Sequence, residues 1–200
     1  MEPQVIALLV FVGVYALLIW DKINRAVVSL LGASALILLG VINQEAAIHG
    51  IDFNTIGLLL AMMAIVAICQ KTVMFQYLAI RAAKIAKGDP WRILVALSIV
   101  TASLSALLDN VTTVLLTVPI TFLLVDELKL NPYPFLVAQI FSSNIGGTAT
   151  LIGDPPNIMI GSAVGLTFMD FVVNLGVIIP AILAGFLIPM YFIYGRKMKV

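Results

Sequence analysis

The stretch that decides the fold is Asn144-Ile145-Gly146-Gly147-Thr148-Ala149-Thr150-Leu151-Ile152-Gly153-Asp154-Pro155-Pro156-Asn157. It lies inside an apolar run from Tyr133 to Gly165 that carries no lysine or arginine. One helical crossing of a bilayer takes about 20 residues, so the run is too long for one straight span and too short for two with a loop. Paired glycines, a further glycine and two consecutive prolines disfavour a continuous helix. The expectation is a discontinuous helix: Tyr133 to Ser143, an unwound stretch, then Pro156 to Gly165. Lipid cannot satisfy free backbone N–H and C=O groups, so irregular backbone at membrane depth must be buried in protein or face a water-filled cavity. A broken helix at that depth is a candidate binding site.

A second irregularity lies just upstream. Trp91 to Leu108 and Val111 to Val125 are apolar runs separated only by Asp109-Asn110. Arms of about 15 to 18 residues, at 1.5 Å per residue, fall slightly short of a full crossing. The turn has no glycine or proline, which favours a re-entrant helical hairpin over two spans meeting in water. Asp109 and Asp154 are then the only ionisable groups at membrane depth. Insertion of a central Asp costs roughly 2.5 to 3.5 kcal/mol, and such residues line ion or proton paths. Burial disfavours a bare carboxylate, so an acid at that depth can trade a proton for a cation.

Around these acids stand Asn110, Thr112, Thr113, Asn144, Thr148, Thr150 and Asn157, whose oxygens are hard ligands. Unwound carbonyls at Gly146, Gly147 and Gly153 and the turn at Pro155-Pro156 complete the candidate substrate or ion site, with sodium at Asp109, Asn110, Asp154 and Asn157. The opposite sign is also physical, because N-termini of half-helices attract anions. Thr101, Ser103 and Ser105 read as packing on one hairpin arm, and His49 as a solvated loop residue near Glu45 and Asp52. A lone cysteine, Cys69, excludes a disulfide framework and a cysteine-only metal cluster. No cofactor and no structural metal are expected; a coupling Na+ or H+ is. Direct ATP drive is not encoded, since no Walker motif occurs.

Composition carries the membrane reading further. The 200 residues are 62% hydrophobic and 10% charged, against roughly 25% charge for a soluble domain. The expected class is all-α and polytopic, with spans at Gln4 to Trp20, Ala26 to Ile42, Thr55 to Cys69, Tyr133 to Gly165 and Phe171 to Tyr194 beside the hairpin. The first span lacks a basic flank and a cleavage pattern, so it is expected to stay in the mature protein. Phe75 to Lys87 reads as an amphipathic helix on the inner surface, stopped by Gly88-Asp89-Pro90. Residues 1–88 then form scaffold helices with this surface helix, 89–168 a module of hairpin 91–125 and broken helix 133–165, and 169–200 a last span with a basic end.

Counting loops from an outside N-terminus puts all 11 Lys and Arg on one side. That distribution predicts an outside N-terminus and a cytoplasmic C-terminus in a plasma (inner) membrane. The lipid bilayer is the expected partner, and a nucleic acid is not.

At the two interruptions the chain resembles the ion transporter superfamily, in the branch of arsenite permeases, NhaD-type sodium–proton antiporters and the melanosomal P protein (a citrate transporter-like domain). The matching stretches are Ser105 to Thr113, with Pro119 and Thr121 beyond, and Asn144 to Asn157. The resemblance implies a re-entrant hairpin, an adjacent broken helix, an inverted second repeat and elevator-like motion against a scaffold. In the dicarboxylate and citrate branch the hairpin tip reads Ser-Asn-Thr and the break Gly-Ser-Pro-Pro-Asn. Here Asp109 and Asp154 replace the neutral serines. A like-charge pair at 4 Å costs about 4 kcal/mol at an effective dielectric of 20, which argues against citrate.

Neither motif recurs, so the second repeat is expected elsewhere, in the same gene or in a separate half. A homodimer is a further candidate assembly, although one-sided basic loops oppose an inverted second copy. The expected function is secondary transport of a small inorganic ion, first as sodium–proton antiport. Alternatives are arsenite or other oxyanion efflux and dicarboxylate or citrate symport. Two readings of other classes are a non-transporting subunit and an intramembrane aspartyl protease. The protease motif needs Gly-x-Gly-Asp, and Leu151-Ile152-Gly153-Asp154 lacks its first glycine, so no enzyme is expected.

Overall fold

A computed structural model describes residues 2–198 except 73–76, 78, 79, 82 and 83. Most apolar positions of the amphipathic helix expected over Phe75 to Lys87 therefore lie outside the described residues. The described chain is all-helical, with no strand. Among the described residues, α-helices run in the order α1 (Pro3–Trp20), α2 (Arg25–Leu38), α3 (Gln44–His49), α4 (Phe53–Gln70), α5 (Pro90–Ser105), α6 (Asn110–Glu127), α7 (Tyr133–Gly147), α8 (Pro155–Val164), α9 (Phe168–Asn174) and α10 (Ile179–Ile193), with a 3-10 turn at Gly195–Lys197. Packing groups the chain into two units, Met1–Phe53 and Asn54–Val200.

In the first unit α1 packs on α2 and has no buried residue, as expected of a helix whose remaining surface faces lipid. Gly32 allows the approach: a Cβ there would collide with the Val14 side chain. Helix α2 ends at Leu38 rather than Ile42, because Gly40 takes a positive φ of 69°. The segment holding His49 is not a plain loop. It forms α3, whose first turn is capped by Asn43 accepting from Ala46 N at 2.7 Å.

The second unit is built on α5, α6 and α7. Its start follows the sequence signals closely: Gly88 is left-handed with φ 80°, Asp89 accepts from Arg92 N at 2.8 Å, and Pro90 occupies the first helical position. Ile93, Leu94, Leu97, Phe135 and Ala138 form the apolar heart, joined by Ile120, Val125 and Met190. Val66 from α4 packs with Leu104 and Leu108 in a smaller cluster.

Two further expectations need correction. The run Phe171 to Tyr194 is not one helix; it is broken by a turn at 175–178 between α9 and α10. Asn174, Gly176 and Pro180 cluster there, and each weakens helix continuity. Helix α9 starts instead at a capping box, in which Thr167 and Asp170 bond each other's backbone N–H. It meets α8 at 113° across the left-handed Gly165.

Among the described residues, α1 and α6 are singly long and apolar enough to cross a membrane, and the bent α8–α9 pair passes that test together. The helices α2, α5 and α10 are shorter apolar helices, as is the apolar stretch Phe53–Cys69 of α4.

Candidate transport site

The second correction concerns the break itself. Gly146 and Gly147 are helical, and α7 continues to Gly147. The non-helical stretch is Thr148 to Asp154, and α8 resumes at Pro155. The glycines are needed for lack of side chain, not for helix breaking. A Cβ at Gly146 would stand 2.5 Å from Ala102 Cα in α5. One at Gly147 would stand 2.8 Å from the Gly153 carbonyl and closer still to the Asn110 amide. One at Gly153 would stand 2.7 Å from the Ser105 carbonyl. Three backbone segments from two helix interruptions thus touch at positions only glycine can fill.

Side chains tie the two interruptions together. Thr150 Oγ1 donates to the Ala106 carbonyl, in the turn between α5 and α6, and accepts from Gly153 N at 3.2 Å. Asn110, at the head of α6, sits 2.9 Å from Ser105 Oγ and 3.3 Å from Asn144 Oδ1. Its amide is best satisfied with the nitrogen turned to the Gly153 carbonyl at 3.2 Å and the Ser143 carbonyl at 3.1 Å. Asn157, 9% exposed on α8, donates to the carbonyls of Thr150 at 2.9 Å and of Gly147 and Thr148 at 3.4 Å. These carbonyls belong to the broken end of α7, which would otherwise be left unsatisfied.

The two acids differ. Asp109 is the N-cap of α6 and accepts from Thr112 N at 2.9 Å. Its charge also meets the positive end of that helix. Asp154 holds the equivalent place on α8 but makes no side-chain bond to the helix end. Both are half-buried. Asn144 and Thr148 are exposed beside the break, with Thr148 Oγ1 bonded back to the Asn144 carbonyl at 2.9 Å. Pro155 and Pro156 are exposed in the first turn of α8, where a missing N–H costs nothing. Thr113 is fully buried in α6, away from the hydrogen bonds that join the interruptions. Among the described residues no group of three or more His, Cys, Asp or Glu could hold a metal ion.

Ser105 belongs to this constellation, although sequence spacing assigned it to packing. Its signal was the face Ser98, Thr101, Ser105, which repeats at helical spacing on α5. Five buried oxygens in the same module have no protein partner: Ser98 Oγ, Thr101 Oγ1, Thr113 Oγ1, Gln139 Oε1 and Ser142 Oγ. Each such atom costs about 1–3 kcal/mol if left unsatisfied.

With two interrupted helices docked in an apolar helical chain, family comparison becomes specific. A family profile described as citrate transporter matches residues 15–200. This chain belongs to the citrate transporter family. An uncharacterized transporter of Mycobacterium tuberculosis is 45% identical to this family member over 196 residues, covering 96% of this chain and 46% of that protein. A 46 kDa membrane protein of Mycobacterium leprae is 47% identical over 195 residues, with 94% and 46% covered. The P protein of Homo sapiens is 41% identical over 185 residues, with 87% and 22% covered. The chain therefore spans less than half the length of the curated relatives it matches. Membership places it in a family of membrane transporters, within the superfamily its motifs resemble.

Proposed function

We propose that this citrate transporter family member supplies one half of a secondary transporter that exchanges sodium for protons by alternating access. The observation that carries the reading is the contrast between the two acids. Asp109 is held by its own helix end, whereas Asp154 makes no such bond at the head of α8. A carboxylate without a helix partner, beside a backbone break, is suited to alternate between a proton and a small cation. Asn110 and Thr150 serve it by holding the two interruptions together, and Asn157 by closing the break between α7 and α8. Asp109 keeps the hairpin tip formed and adds negative potential.

The same charge argues against a multiply charged anion such as citrate. Each acid within 4 Å of a substrate carboxylate would cost about 4 kcal/mol at an effective dielectric of 20. Arsenous acid, which is neutral, escapes that repulsion, and the exposed Asn144 amide and Thr148 hydroxyl offer it polar contacts. It is the second reading. In either case the module of α5 to α8 moves as a unit against the remaining helices, with an outside N-terminus and a partner half supplying the second repeat.

The test uses the native assembly isolated through this chain and reconstituted in vesicles carrying an internal pH dye. Imposed gradients of sodium, arsenite and citrate are compared. Sodium is expected to drive proton flux, and Asp154→Asn to abolish it without loss of folded protein. Flux with citrate but not with sodium, or full activity in Asp154→Asn, overturns the proposal.

A further inference from the structure

The interior between α5, α6 and α7 holds a column of oxygen-bearing side chains that the exchange at Asp154 does not use. Ser98, Thr101, Thr113, Gln139 and Ser142 are each exposed by 1% or less, and each carries an oxygen with no protein partner. Their heights agree. Gly146 abuts Ala102, and Thr150 bonds Ala106, so α5 and α7 share one parallel register. That register sets Ser142 level with Ser98. The Ser105–Asn110 bond folds α6 back along α5 and brings Thr113 to the level of Thr101. At the far end Gln139 Nε2 donates to Thr121 Oγ1 and closes the column.

The column carries no charge. Its hydroxyls can donate or accept, the Gln139 carbonyl oxygen can only accept, and the Gln139 amide nitrogen is already used on Thr121. Thr117 donates its own proton to the Thr113 carbonyl, which leaves its oxygen as a further acceptor. The one basic residue on the three helices, Arg92, is exposed at the opposite end of α5 from the hairpin turn. An anion would find no counter-charge here and would face the acceptor-only Gln139 carbonyl oxygen, whereas the hydroxyls can turn their lone pairs to a cation. Hard monovalent cations take oxygen ligands, and channel filters hold them with neutral oxygens alone.

We infer that Ser98, Thr101, Thr113 and Ser142, with the Gln139 carbonyl oxygen at one end, form a second, carboxylate-free site for a dehydrated monovalent cation of the sodium class. It extends the cation reading above but does not depend on Asp154. The ion would satisfy the orphaned oxygens and lock three helices of the module to one another.

The experiment measures thermal unfolding and ²²Na⁺ binding of the purified native assembly in sodium chloride and in choline chloride. Four forms are compared: parent, Thr113→Val, Ser142→Ala and Asp154→Asn. The expected result is a saturable sodium stabilisation in the parent and in Asp154→Asn. Apparent sodium affinity should fall at least about tenfold in Thr113→Val and Ser142→Ala, the scale of one lost charge-assisted ligand. The choline midpoints report whether each variant is folded, and Thr113→Ser, which restores a hydroxyl, should recover binding. Sodium binding lost only in Asp154→Asn sinks this inference while leaving the proposed exchange intact. Sodium binding unchanged in both hydroxyl-deleted variants, with equal or higher midpoints in choline, also sinks it and marks the column as hydrated packing.

Discussion

Replacing Gly146 by alanine presses on the contact that joins the broken helix to the hairpin. The new Cβ would stand 2.5 Å from Ala102 Cα and 2.6 Å from its carbonyl carbon. Ordinary contact begins at 3.4 Å and the Ala102 carbonyl oxygen lies nearer still, so α5 and α7 must part by at least about 0.9 Å, and backbone lies on both sides with no rotamer to yield. Overpacking of this kind costs about 1–3 kcal/mol, against a helix-propensity gain of about 0.5–1 kcal/mol for Gly to Ala. The expected net loss is centred near 1 kcal/mol and reaches about 2.5 kcal/mol, a fall in midpoint of roughly 2–10 °C for a chain of this size. Gly185→Ala is the control: nothing lies within 4 Å of a Cβ in that helix, so only the gain of about 0.5–1 kcal/mol applies. Tryptophan-monitored unfolding in nanodiscs reads both. Because Thr150 must hold Ala106 across the same gap, Gly146→Ala should also impair sodium-driven flux. If Gly146→Ala melts at or above the parent, the close approach of α5 and α7 is refuted, and with it the docking of the two interruptions.

Two further substitutions separate structure from chemistry. Asn157→Ala removes the donor shared by three carbonyls of the broken end and should cost about 1–3 kcal/mol in the same unfolding assay; an unchanged midpoint would show those carbonyls find other donors. Asp109→Asn keeps an efficient N-cap while removing the charge, so its stability should match the parent within a few tenths of a kcal/mol, whereas Asp109→Ala should lose about 0.5–2 kcal/mol. Equal midpoints for the two variants would deny Asp109 its capping role.

The helical class, the interruption before Pro155-Pro156 and the start of α5 at Gly88-Asp89-Pro90 were legible because each rests on local chemistry: apolar composition, proline's missing donor and an aspartate cap. The same local rules misplaced the upstream edge of the break. Gly146 and Gly147 look like helix breakers in isolation, yet they stay helical because packing against Ala102 and Asn110 rewards the absent side chain more than propensity penalises it. The turn at 175–178 was readable in principle from Asn174, Gly176 and Pro180, but unbroken hydrophobicity on both sides masked it.

What the sequence determined by itself is that this chain is apolar, helical and interrupted at two places, each with an aspartate, since composition and backbone chemistry act within a few residues. Only the tertiary structure decided that the interruptions meet, and that buried hydroxyls on α5, α6 and α7 fall at matching heights. Those outcomes depend on the register between α5 and α7, and register is set by contacts between residues more than forty positions apart, which no local pattern encodes.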